Sequence, residues 1–384
     1  MKINGFSVTL WVIAACLFSG KIHAENVKVY QKVTSTSELI SGEKYLIVRE
    51  NAEQSYAMGE IGKNHSGAGC KVAVDVQNGT IVNPNTDAMV YTLGGTANAW
   101  TLKCSHGYLA YANNSTNMKY ESSVGTYGRW IISTSSIRCA ATSAQTRYIR
   151  YDDIYEFKCY SGNIGAGTYE ETCLYRLVTD AEGIALSVGA IQYATLYYSD
   201  KAFVVPTNAK AYTYKLNHNN LSISKTYFPG QTIPASTAVV IAAPQGNYAF
   251  LASTETGEND ADNLLRGYDE AAMTTAPDEN TDNYYFYMVS LNKDSEAGSA
   301  GFYFGNENGT PFTSAAHKAY LVLHKNEGTS AREFLFSDVQ TGITTVTTSR
   351  QTDMQTATYN LAGQQVKKDY HGIVIIQGKK TVKK

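Results

Sequence analysis

Few residues in this 384-residue chain combine the type and spacing that chemistry needs. Cys104 and His106 lie two apart, so on a strand they share a face, and an imidazole beside a thiol is the minimum apparatus of a cysteine nucleophile. Their aromatic neighbours Trp100 and Tyr108 favour a packed barrel position over a reactive one. Asp152, Asp153 and Glu156 could pair carboxylates for glycoside cleavage, yet consecutive acids on a strand point to opposite faces, and a solvated turn is expected instead. Glu258, Asp260 and Asp262, with Asn259 and Asn263 between and after them, concentrate oxygen ligands as a calcium loop would. That stretch lacks EF-hand spacing, so a polar loop is the favoured reading and calcium the alternative. His317 and His324 are seven apart on or near one strand and cannot share a metal without a bend. Among local signatures, GxSxG, HExxH, a Walker loop and GxGxxG in a βαβ setting are all missing. No catalytic residue is assigned.

What the chain has in excess is tyrosine, 29 residues of it. A sugar can stack its apolar C–H face on an aromatic ring while Asn, Asp and Lys hold its hydroxyls. Tyr197, Tyr198, Tyr284, Tyr285 and Tyr287, set among Asn and Asp, are the candidate ligand-binding residues. Alternation along a strand places about half of any such run in the core.

These residues must be positioned by strands. Tyr, Thr, Val and Gly are abundant and long helical apolar repeats are few, which predicts an all-β protein. The formal net charge of −2 gives no electrostatic footprint for nucleic acid or anionic membrane. Residues 1–24 read as a secretory signal peptide: Lys2, an apolar run from Phe6 to Phe18, and a small residue, Ala24, at the cut. The run is shorter than the ~20 residues that span a bilayer, so no transmembrane segment is expected after its removal. Ile13-Ala14-Ala15-Cys16 also resembles a bacterial lipobox, which makes an outer-membrane lipoprotein acylated at Cys16 the alternative to a secreted or surface-displayed protein. The remaining cysteines, Cys70, Cys104, Cys139, Cys159 and Cys173, are odd in number and show no CxxC spacing, as suits buried free thiols.

Composition shifts near residue 180: those cysteines with Trp100 and Trp130 precede it, and six of the seven prolines follow it. Residues 25–180 are expected to form a small β-barrel. A faint repeat supports a β-trefoil-like version, since Tyr45-Leu46-Ile47-Val48, Tyr108-Leu109-Ala110-Tyr111 and Tyr148-Ile149-Arg150-Tyr151 share an aromatic-aliphatic opening, at unequal spacing. Asp180 to Gly189 reads as a connector. Residues 181–340 are expected to form a β-sandwich of two antiparallel sheets, with Ala238 to Ala242 a buried apolar strand. Residues 341–358, eight of them threonine, read as a linker, and residues 359–384 as a short β-meander with glycines at its turns and lysines on its edge.

Three stretches resemble known families. Tyr359-Asn360-Leu361-Ala362-Gly363-Gln364-Gln365-Val366 followed by Gly372-Ile373-Val374 resembles the C-terminal tails of secreted Bacteroidota proteins, several of which are read by the type IX secretion apparatus. Val374 departs from the Tyr common there. Tyr30 to Ser35, Glu38-Leu39, Gly42, Tyr45 to Val48, Phe157 to Tyr160 and Leu174-Tyr175 resemble a module of secreted multidomain Bacteroidota proteins that is tied to no one activity. A second such module is similar to the segment carrying Tyr193 to Tyr197, Ile233 to Ile241, Asn263, Gly267, Gly301-Phe302-Tyr303 and Ala316 to Leu321. These resemblances imply location and modularity, not chemistry, with the secretion apparatus as a partner through the tail; the tyrosine excess and the missing catalytic signatures favour a non-catalytic binding or adhesion protein toward glycan or host and matrix protein. An extracellular hydrolase or its accessory subunit is the alternative, and a structural surface component the third.

Overall fold

Residues Cys173–Val188 form one continuous 16-residue strand, and the two halves of the fold hang from it. Its first half pairs antiparallel with strands Asn26–Lys32 and Lys44–Arg49, and its second half, from Gly183 onward, with strand Gly246–Ser253. The connector expected at Asp180 to Gly189 is therefore strand as far as Val188. Thr179-Asp180-Ala181-Glu182 has no apolar alternation to mark it; the segment is extended because its backbone pairs with Val29 to Asn26. Gly183 stands where the partner changes. A Cβ there would lie 2.5 Å from the Phe250 carbonyl oxygen and 3.0 Å from Leu251 Cα, both backbone. Gly183→Ala is expected to destabilise by about 1–3 kcal/mol through this overlap, measured by denaturant unfolding. Unchanged stability would mean that the two strands part freely at this point.

The computed structural model describes residues 26–336 except 114, 142–146, 162–168, 218–219, 279, 292–299 and 326–330, and beyond them only the strands at 358–360, 372–376 and 379–383. Strand accounts for 53% of it and helix for 5%, so the protein is all-β. Residues to Gly342 make one compact unit and Ile343–Lys384 a second. The expected signal peptide with Cys16, and the expected linker short of Thr358, lie outside the described residues.

The N-terminal strands build a curled antiparallel sheet, a half-barrel. Along it a hairpin, Ser55–Ile61 with Gly69–Val74, is followed by a meander of Tyr91–Gly94, Thr101–Cys104, Gly107–Tyr111 and Met118–Glu121, and by a second of Trp130–Ile132, Ile137–Cys139, Arg147–Asp152 and Glu156–Ser161. Trp100 and Trp130 face each other in an isolated antiparallel bridge, each backbone N–H donating to the other's carbonyl at 2.9 and 2.7 Å. The inner face buries Tyr45, Ile47, Tyr91, Leu102, Leu109, Trp130, Ile149, Tyr151 and Phe157. These come from strands where every second residue turns inward.

After Gly183 the chain makes sandwich-like sheets in three layers. The middle layer is Tyr193–Leu196, Val239–Ala242, Lys210–Asn217 and Asn220–Tyr227. Val239 and Ile241 turn to one side, onto Leu186, Val188, Phe203 and Phe250; Ala238 and Val240 turn to the other, onto Tyr287, Phe302, Leu321 and Phe336. The fully apolar run at Ala238 to Ala242 is thus buried on both faces, which two sheets alone could not achieve. Strands Leu265–Gly267, Ala319–His324, Tyr284–Leu291, Ala300–Phe304 and Glu333–Leu335 form the third layer. Phe286, Tyr320 and Val322 on its outer face are covered by Ala276, Tyr268 and Phe312.

In the C-terminal unit, Thr358–Asn360 pairs with Gly372–Ile376, and that strand with Lys379–Lys383, as an antiparallel meander. Among the described residues no helix is long and apolar enough to cross a membrane.

Candidate functional site

The five candidate tyrosines do not form one platform. Tyr197 and Tyr198 are consecutive on an extended segment and turn opposite ways: Tyr197 packs into the cluster between the middle and third layers, Tyr198 into the cluster on the other side of the middle layer. Tyr198 lies flat on His317, ring centres 3.8 Å apart, and edge-on to Phe203 at 5.1 Å. Along Tyr284–Leu291 the alternation repeats. Tyr284 packs against the outer cluster and edge-on to His324, whereas Tyr285 stacks on Phe304 at 5.3 Å with the Lys325 ammonium 5.2 Å from its ring centre. Tyr287 is fully buried and donates its hydroxyl to the Ala331 carbonyl at 2.9 Å. It is a core residue and presents nothing to a ligand.

The acidic loop is tied to its neighbours. Asp260 accepts hydrogen bonds from the Thr213 hydroxyl, from Ser224 Oγ at 3.0 Å and from the Asp262 N–H at 3.1 Å. Burial raises its pKa, but those donors outweigh it and hold the carboxyl below its ordinary range. Glu258 pairs with Lys225 at 2.7 Å and Asp262 with Lys215 at 3.6 Å. The three acids anchor the loop to hairpin 210–227, each on its own donors. Among the described residues no three His, Cys, Asp or Glu side chains converge as metal ligands would.

The two sets of candidate reactive groups are packed or already engaged. Cys104 belongs to the half-barrel core, where burial pushes its thiol pKa up, and His106 lies flat on Tyr120 with centres 5.3 Å apart. The turn at Asp153 to Tyr155 is exposed, but Asp152 and Glu156, which a solvated turn would expose as well, are buried. Asp152 accepts from the N–H groups of Ile154 at 2.8 Å and Tyr155 at 2.5 Å and from the Tyr160 hydroxyl. Glu156 is held by Asn64 Nδ2 at 3.1 Å and the Lys71 N–H at 2.9 Å, with its backbone at φ 64, in the left-handed region. A turn this short forces the chain through that region, and the buried carboxylate hydrogen bonds hold a non-glycine residue there.

All five thiols are buried and unpaired. Desolvation raises each of them, Cys173 to about 12, so thiolate is scarce at neutral pH. An aromatic disulfide reagent at about pH 8 is expected to leave the folded chain unlabelled and to titrate all five only after denaturation. Rapid labelling of one thiol without unfolding would identify an accessible thiolate, and with it a nucleophile.

A cleft of about 580 Å³ opens on the outside of the half-barrel, lined by Lys28, Tyr30, Lys44, Val90, Thr92, Lys103, Cys104, Ser105, Leu177 and Asp180. Pairing register puts it together: Lys44 is opposite Thr92, and Thr92 opposite Lys103, so the three share one face of adjacent strands, while Lys28 is opposite Asp180 on the next pair. Lys28, Lys44, Thr92, Lys103, Ser105 and Asp180 are exposed, the half-buried Val90 and Leu177 form the floor, and Tyr30 and Cys104 lie buried beneath it.

No protein-family model matches this chain, and no curated protein is significantly similar to it.

The lysines of the cleft are what reading along the sequence missed. They are 16 to 59 residues apart, taking Lys28 to Lys44 and Lys44 to Lys103. Only the register of separate strands makes them neighbours. The one available signal was a lysine next to an apolar inward residue on each of three strands, Val27, Tyr45 and Leu102.

Proposed function

We propose that this chain is a secreted or surface-displayed, non-catalytic binding or adhesion protein for a glycan or an extracellular protein, and that the cleft on the half-barrel is its contact surface. One observation carries the reading. The groups that could have done chemistry are packed or hydrogen-bonded, whereas the cleft offers exposed amines and hydroxyls above an apolar floor. That is the make-up of a recognition surface. The same proposal takes residues 25–180 as a β-trefoil-like barrel, supported by the curled antiparallel sheet and the Trp100–Trp130 bridge that joins its two meanders, and residues 181–340 as a sandwich domain. Export by the signal segment and sorting by the tail belong to it too, on the resemblances described above.

The test is a screen of the full mature chain against arrayed neutral and charged glycans, mucin and matrix proteins, with and without calcium. Saturable binding that is lost on altering the cleft supports the proposal. Turnover of a glycoside or peptide bond in the same samples would replace it with the extracellular hydrolase.

A further inference from the structure

We infer that the cleft binds the anionic groups, sulfate or carboxylate, of an acidic glycan. The inference rests on the binding reading above and specifies its ligand class.

About half of the described lysines are ion-paired, and what sets Lys28, Lys44 and Lys103 apart is that three unpaired ones line a single cleft, Lys103 lying 5.4 Å from the Tyr108 ring centre. Lys32, Lys63, Lys119, Lys201, Lys215 and Lys225 each have a carboxylate within ion-pair distance, from 2.5 to 3.6 Å. Among the described residues, no carboxylate pairs with Lys28, Lys44 or Lys103, although all three line one cleft of a chain whose net charge is −2. The single acid of the lining, Asp180, accepts from Asn26 Nδ2 at 3.0 Å and forms no ion pair with Lys28, its cross-strand partner. Three like charges held close together on a rigid sheet repel one another, and a bound anion removes that repulsion.

The spacing also selects. Lys44 and Lys103 sit two strands apart, with Thr92 between them on the same face. Adjacent strands are about 4.8 Å apart, so the two Cα atoms are about 10 Å apart, and long flexible side chains can converge on one anion or hold two. The Thr92 and Ser105 hydroxyls can exchange hydrogen bonds with sugar hydroxyls, and the half-buried Val90 and Leu177 form an apolar floor for a ring's C–H face. A bare inorganic anion would use the lysines and leave that floor and those hydroxyls idle. An acidic sugar uses all three.

The experiment measures binding of the full chain to dextran sulfate, to hyaluronan as the carboxylate arm, and to unsulfated dextran of matched length, at about 50 and about 300 mM salt. Expected is saturable binding to one or both acidic polymers, none to dextran, and weakening at high salt. Lys44→Gln and Lys103→Gln should each weaken binding about 2- to 5-fold at low salt, and the triple variant with Lys28→Gln by about 10-fold or more. Lys210→Gln, outside the cleft, should change nothing. Asp180→Asn removes the one negative charge of the lining and should tighten binding about 2- to 3-fold, a gain that misfolding cannot produce. Binding to acidic polymers that ignores all four cleft substitutions overturns the inference. So does cleft-dependent binding of a neutral glycan, though that would leave the binding protein itself standing. Failure to bind any glycan or protein offered would overturn both.

Discussion

Trp130→Ala should lower the unfolding free energy by about 3–5 kcal/mol, a large share of the roughly 5–15 kcal/mol that holds a domain folded. Trp130 is fully buried, its indole Nε1–H donates to the Leu109 carbonyl at 3.0 Å, and its backbone closes the bridge to Trp100. Alanine would leave a cavity in the half-barrel core and would leave the Leu109 carbonyl without its donor. Trp130→Phe separates the two losses. It fills most of the volume but cannot donate, and is expected to cost about 1–3 kcal/mol. Trp100, only partly buried, should tolerate alanine better. The measurement is urea unfolding followed by far-UV circular dichroism. A loss below about 1 kcal/mol for Trp130→Ala would mean that this ring is not central to that core.

The second large effect concerns a buried cation. Arg49 forms a bidentate pair with Glu170, donates to the Gln54 carbonyl at 2.8 Å, and places its guanidinium 4.8 Å from the Tyr151 ring centre and 5.8 Å from that of Tyr56. The partners are unequally buried, with side-chain exposures of 7% for Arg49 and 42% for Glu170. Removing Glu170 strands a guanidinium in the interior, whereas removing Arg49 lets the carboxylate return to water. Glu170→Ala is accordingly expected to cost about 3 kcal/mol. Arg49→Met, which keeps the volume, should cost about 1–2 kcal/mol, chiefly the Gln54 hydrogen bond and the cation–π contacts. With Arg49→Met already present, adding Glu170→Ala should cost little more. The reverse order in chemical denaturation would show that the desolvated guanidinium is not the dominant quantity.

The fold was legible where an inference needed only one strand. Tyrosine and β-branched residues marked an all-β chain, and the run from Ala238 to Ala242 announced a buried strand, which the structure covers on both faces. Where a segment's state depends on its partner, local reading failed. Asp180 to Val188 has the polar composition of a connector, yet it is strand, because Asn26–Lys32 and Gly246–Ser253 supply its hydrogen bonds. The third sheet likewise followed from no motif.

The candidate site divides the same way. Alternation along 284–287 could say that neighbouring tyrosines face apart, and they do. It could not say that Tyr287 would be sealed, since that depends on Phe302, Leu321 and Phe336 arriving from other strands. Acids clustered in six residues read as a polar loop, with calcium the alternative, but nothing local could show that Thr213, Ser224, Lys215 and Lys225 would be their partners. By itself, then, the sequence determined the class of structure and which positions alternate, because those are properties of a single backbone with a period of two. Tertiary structure alone decided which long-range neighbours complete a surface. Lys28, Lys44 and Lys103 become one cleft only through the register of strands whose pairing no local pattern encodes.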